Sequence, residues 1–90
     1  MRTSDEIKAL HRRINRIIGQ LKGIDKMVDE DAQCDDILIQ VNATKAALHK
    51  VGQALLEIHL AQCVRAHAND EEAEAAIAEY SKAVEFFSRI

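Results

Sequence analysis

The sequence predicts an all-α fold with three helices per chain, on three observations. Apolar residues make up 48% of the 90 residues while aromatics are only 3%, with no Trp and no Pro, so the apolar content is Ala, Leu, Ile and Val. Two long segments repeat apolar side chains at alternating intervals of three and four, the period of one helix face. No segment shows the two-residue alternation of a half-buried strand. A chain of this length forms one domain, residues 1–90, and is small enough that association of copies is a common way to complete its core.

Ser4 or Asp5 can cap the first helix, whose apolar positions are Ile7, Leu10, Ile14, Ile17, Leu21, Ile24 and Val28. Gly19 and Gly23 interrupt it at a cost of about 1 kcal/mol each relative to Ala, which points to close helix approach at those positions. Asp29, Glu30 and Asp31 end the period, with a turn near Asp31 to Gln33. The second helix runs from about Gln33 to His67, with Asp35 and Asp36 where the helix dipole favours negative charge. Its seam reads Cys34, Ile37, Val41, Thr44, Leu48, Val51, Leu55, Ile58, and Gly52 marks a kink or close contact in the middle. Asn69 and Asp70 form the next break. A shorter third helix then carries Ala73, Ala76, Ile77, Tyr80, Ala83, Val84 and Phe87 and is expected to pack across the first two.

Net charge is −3, but it is unevenly spread. Residues 1–28 hold seven Lys/Arg against three acids, +4, which leaves −7 for the remainder. Between Glu6 and Asp25 there is no acid, while Lys8, Arg12, Arg13, Arg16 and Lys22 are all present. Such a run usually just solvates a helix face; repeated by oligomer symmetry, it also makes a stripe able to meet DNA phosphates. No run of about 18 apolar residues could span a membrane, and the polar N-terminus has no signal-peptide core, so the expected location is the cytoplasm. No carboxylate pair, nucleophile with adjacent base or phosphate-binding loop is present, which argues against an enzyme.

The chain's two cysteines and one histidine make the candidate site. His59 and Cys63 are four apart and stack on one helix face, while Cys34 lies 25 residues before His59. Along a continuous helix that separation is roughly 37 Å at ~1.5 Å per residue. One chain cannot close such a site, but two antiparallel chains can. In a reducing compartment two cysteines are ligands or reactive thiols more often than a disulfide. Two thiolates and an imidazole are a soft, low-coordinate set that suits Cu(I), or Zn(II) with a fourth ligand. Taken singly each has a plainer reading: a buried Cys as a small hydrophobe, a His as a packed core residue. His67 extends the ladder by another four residues, whereas His11 and His49 fall off the ligand face.

The segment Arg13-Ile14-Asn15-Arg16-Ile17-Ile18-Gly19-Gln20-Leu21-Lys22-Gly23-Ile24 resembles the signature R-I-x-R-I-x-G-Q-x-x-G-I of the copper-sensitive operon repressor (CsoR/RcnR/FrmR) family. Asp31-Ala32-Gln33-Cys34-Asp35-Asp36-Ile37-Leu38 and Leu55-Leu56-Glu57-Ile58-His59-Leu60-Ala61-Gln62-Cys63-Val64 are similar to two further stretches, so the likeness covers nearly the whole chain. The resemblance implies an antiparallel helical-bundle dimer assembling into a disc-like homotetramer. Metal would be held between Cys34 of one chain and His59 and Cys63 of another, with Glu79 in the outer shell. It implies a repressor that binds operator DNA when metal-free, through Arg13, Arg16 and Lys50, and is released by the inducer.

Within that family the ligand set sorts the branches. Nickel and cobalt sensors add an N-terminal histidine, where this chain reads Met1-Arg2-Thr3-Ser4; formaldehyde sensors use an N-terminal proline, and this chain has none. Persulfide sensors use the two cysteines without the histidine, whereas His59 is present. The resemblance therefore favours Cu(I), with a persulfide or thiol sensor, a Ni/Co/Zn sensor and a purely structural helical module as the alternatives. One departure is Gln33, where copper sensors often carry an outer-shell Tyr.

Overall fold

A computed structural model describes residues 2–65 and 70–90 of the chain. These residues form α1 (Ser4–Asp29), α2 (Cys34–Arg65) and α3 (Asp70–Phe87), with no strand among them. The expected end of the second helix at His67 and the break at Asn69 lie outside the described residues; α2 is described to Arg65.

The cap of α1 is Thr3 rather than Ser4 or Asp5. Of the three, only Thr3 is followed three residues later by a Glu. Its hydroxyl accepts a hydrogen bond from the Glu6 N–H at 3.1 Å, and Glu6 Oε1 accepts one from the Thr3 N–H at 2.7 Å. This reciprocal pair satisfies two orphan donors of the helix start. The hydrogen bond from Thr3 also holds the Glu6 carboxyl below its ordinary pKa. At the far end Asp31 adopts φ 53°, the left-handed conformation. The Ala32 N–H donates to the Met27 carbonyl (2.9 Å) and the Asp31 N–H to the Val28 carbonyl (3.2 Å). This six-to-one and five-to-two pattern closes the helix, with Asp in the place glycine usually takes.

α2 begins at Cys34, one residue later than expected, with the Gln33 carbonyl accepting from the Ile37 N–H at 3.2 Å. It runs unbroken for 32 residues. The one polar residue buried on its seam, Thr44, donates its hydroxyl to the Gln40 carbonyl at 2.8 Å, so no hydrogen-bonding capacity of the donor is lost.

α1 and α3 each pack on α2 and make no contact with one another among the described residues. The expectation that α3 crosses both preceding helices is thereby corrected. The two ends of the sequence claim different faces of α2. Leu10 and Ile17 bury against Val51, with Ala47, Ala54, Leu55 and Ile58 around them. α3 instead runs antiparallel to α2 along the side carrying His49, Gly52, His59 and Cys63. Gly52 is a close-contact position: a Cβ there would lie 3.1 Å from Ile90 Cδ1 and 3.3 Å from Phe87 Cδ1.

Gly19 and Gly23 behave differently, because a Cβ at either meets nothing within 4 Å. Among the described residues no helix of the same chain approaches them closely, so the close approach read from the sequence is not made within one chain. Gly19→Ala and Gly23→Ala are each expected to raise the thermal midpoint through about 1 kcal/mol of helix propensity. Thermal unfolding of the two variants checks this. A lowered midpoint or dissociation on dilution would mean that atoms of another copy fill the space.

Candidate metal centre

Cys34 is the first residue of α2 and is exposed, whereas His59 and Cys63 lie near the other end of the same helix and are half-buried. Because α2 is continuous between them, Cys34 stands roughly 37 Å from His59 at ~1.5 Å per residue. Among the described residues no three His, Cys, Asp or Glu side chains of one chain converge closely enough to hold a metal ion. A single protomer thus brings His59 and Cys63 together, one turn apart, and leaves Cys34 remote.

The two donors at the far end face α3. Cys63 lines an apolar cleft of about 290 Å³ with Leu60, Val64, Ala73, Ala76, Ile77 and Tyr80. His59 borders the adjoining hollow with Leu55, Leu56, Ala83 and Phe87, and its ring centroid lies 5.9 Å from that of Tyr80 at a tilt of 36°. Apart from the two donors, the Tyr80 hydroxyl and Arg2, which lines the His59 hollow, these walls are hydrocarbon and aromatic. One thiol and one imidazole with no carboxylate in the walls around them suit a soft monovalent ion such as Cu(I) better than a hard oxygen-seeking cation.

Glu79 is exposed on α3, one residue before Tyr80, and its carboxylate takes part in no hydrogen bond or ion pair among the described residues. Gln33 is exposed in the turn before α2. His11 is exposed on α1, while His49 packs its ring against Phe87 with centroids 4.7 Å apart. His67 lies outside the described residues.

The three basic residues singled out for DNA come together. Arg13 and Arg16 from α1 and Lys50 from α2 line one open groove of about 360 Å³, floored by Ile17, Ala43, Ala46 and Ala47. Small alanines let the long cationic side chains stand at the rim over an apolar floor. Lys26 pairs with Glu30 (3.7 Å) and Arg89 with Glu85 (3.1 Å), and neither pair engages the groove. Beside it lies a second hollow lined by Lys45, His49, Lys50 and Ile90, which extends the basic surface by one lysine that sequence reasoning passed over. The pairing of Tyr80 with His59 was also not legible. Tyr80 reads as one more core position of the third helix, and nothing in the spacing says which α2 residue it meets.

Comparison with known proteins bears on this arrangement. The profile of the family described as "Metal-sensitive transcriptional repressor" matches residues 6–86. The copper-sensing transcriptional repressor CsoR of Bacillus subtilis (strain 168) is 40% identical over 78 residues, 87% of this chain and 77% of that protein. Among solved structures, the copper-sensing repressor CsoR with Cu(I) from Geobacillus thermodenitrificans NG80-2 superposes with a TM-score of 0.85 at 38% identity, covering 98% of this chain and 92% of that one. The nickel-responsive transcriptional regulator InrS gives 0.84 at 31% identity, over 97% and 98% of the two chains.

Proposed function

This chain belongs to the metal-sensitive transcriptional repressor family, and from that premise we propose that it is a Cu(I)-responsive repressor. It holds operator DNA when metal-free and releases it when Cu(I) occupies a site shared by two chains. Repressors of this family act by binding and not by catalysis.

The observation that carries the reading is the unbroken course of α2 between Cys34 and the His59–Cys63 pair. A second copy lying antiparallel would bring its own Cys34 beside the first copy's His59 and Cys63, giving two equivalent sites per dimer. Such pairing would also cover apolar side chains that one chain leaves in solvent, among them Ile7, Ile14, Leu21, Val41 and Leu48. Two dimers would then make the tetramer that the family resemblance implies.

The fold itself does not choose the inducer, since a neighbour named as nickel-responsive superposes as well as one solved with Cu(I). The donors give the preference: Cys34, His59 and Cys63 would supply two soft sulfurs and one nitrogen. Bound Cu(I) supplies thiophilic, low-coordinate bonding. His59 and Cys63 are held in place beforehand by α2 and its packing against α3, so Cys34 of the other chain is the donor that must approach. Were that Cys34 drawn in, one α2 would shift against its neighbour, and the groove of Arg13, Arg16 and Lys50 on one protomer would move relative to its partner's, away from the separation that fits DNA phosphates. Coupling of this kind amounts to about 1–3 kcal/mol, or roughly 5–150-fold in DNA affinity. Among the described residues no helix is long and apolar enough to cross a membrane, and the cytoplasm is the proposed compartment.

Anaerobic Cu(I) titration followed by X-ray absorption tests the assignment. Two sulfurs and one nitrogen per copper, at one copper per chain, are expected. An oxygen-rich shell would overturn the ligand set, and a Cys34–Cys63 bridge formed by polysulfide with no measurable Cu(I) affinity would assign the thiols to sulfur sensing instead.

A further inference from the structure

Tyr80 is placed where one side chain of α3 meets the surroundings of both α2 donors. Its ring lies 5.9 Å from the His59 ring at a tilt of 36°, and the same residue walls the apolar cleft that contains Cys63. It is half-buried, whereas its neighbour Glu79 is exposed. α3 touches no helix but α2 among the described residues, so its seating at this end depends on a small set of contacts. Phe87 and Ile90 hold the other end over His49 and Gly52.

From this geometry we propose that Tyr80 is a positioning residue for the metal site: its ring fixes the rotamer of His59 and makes the seating of α3 sensitive to what His59 binds. An imidazole on a helix surface samples several rotamers, and a ligand that needs one of them must restrict the rest. A tilted aromatic neighbour does so in advance, because edge and face of the two rings fit only over a narrow range of orientations. The polar tip of tyrosine is not required for this, so phenylalanine should serve as well and an aliphatic residue should not. The inference rests on the Cu(I) reading above, but part of it can be observed without metal.

The chain has one tyrosine and no tryptophan, so its long-wavelength aromatic emission comes from Tyr80 alone. Under anaerobic conditions, Cu(I) added to the full chain is expected to change that emission with a break at one ion per chain. The same addition to His59→Ala should leave it nearly flat. Competition against a chromophoric Cu(I) chelator should show Tyr80→Leu weakened on the order of 10-fold, as for loss of an outer-shell partner, with Tyr80→Phe close to the parent. In the metal-free protein the His59 ring-proton resonances should move in Tyr80→Leu and far less in Tyr80→Phe. Circular dichroism of each variant confirms that the helices are kept. If the parent binds Cu(I) while its Tyr80 emission is unmoved and Tyr80→Leu binds equally well, the positioning role is overturned and the metal site stands. If the parent binds no Cu(I), the metal reading fails, and the metal-free His59 shifts alone decide whether Tyr80 orients the ring.

Discussion

Cys34→Ala and Cys63→Ala are each expected to abolish derepression by Cu(I), leaving metal-free operator affinity within about twofold because neither thiol lines the basic groove. In a fluorescence anisotropy titration the parent should lose roughly 5–150-fold in DNA affinity when Cu(I) is added, and both variants should lose none. Mixing the two variants makes the experiment sharper. Refolded together, they form heterodimers in which one site has Cys34 from the Cys63→Ala chain and His59 with Cys63 from the Cys34→Ala chain, and that site is whole. The companion site lacks both thiols. Partial recovery of Cu(I) binding on mixing is therefore the expected result of a site built between chains. If each variant alone kept the parent's response, the thiols would not be ligands. Failure to recover in heterodimers shown to have formed would mean that the donors come from one chain after all, which the unbroken α2 opposes.

The length of α2 was the feature most legible in the sequence, because a seam that alternates three and four from Cys34 to Ile58 leaves no place for a turn, and no Pro interrupts it. The boundaries were less legible. Thr3 outcompetes Ser4 and Asp5 as the cap through the Glu6 carboxylate three residues on, a pairing signal that scanning for cap-type residues alone overlooks. Asp31 could be read as turn but not as left-handed, since Asp reaches that region only when the hydrogen bonds of the helix end demand it. The seam of α1 is apolar over its whole length, yet only Leu10 and Ile17 are buried by the same chain. Periodicity identifies a face that must be covered; it does not say by which chain. Helix-to-helix pairing was the least legible level. The apolar face of α3 specifies that it packs, but its choice of α2 alone depends on Gly52 admitting Phe87 and Ile90 and on the small side chains of Ala73 and Ala76 beside Cys63. The same dependence on three-dimensional pairing hid the contact of Tyr80 with His59.

Arg13→Ala is expected to weaken operator binding on the order of 10-fold at moderate salt and to flatten its salt dependence. The reason lies in how a cationic groove binds a polyanion. Each phosphate neutralised by an Arg or Lys releases condensed counterions, so log affinity falls with log salt by about 0.9 per contact. Arg13 shares its groove with Arg16 and Lys50, and no ion pair among the described residues holds any of the three. Removing one cation from every chain should thus lower the slope by about one unit for each chain that faces the duplex, or about two where a dimer presents two grooves. Arg16→Ala and Lys50→Ala should act in the same direction. An overall acidic protein cannot owe its DNA affinity to net charge, which is −3 per chain, so the effect has to be local to this groove. Cu(I) affinity should be unaltered in all three variants, the reverse of the thiol substitutions, and the two sets together separate the DNA surface from the metal site. An Arg13→Ala isotherm identical to the parent from low to high salt would take Arg13 off the DNA surface and shift the contact to the neighbouring basic residues, Lys45 first among them.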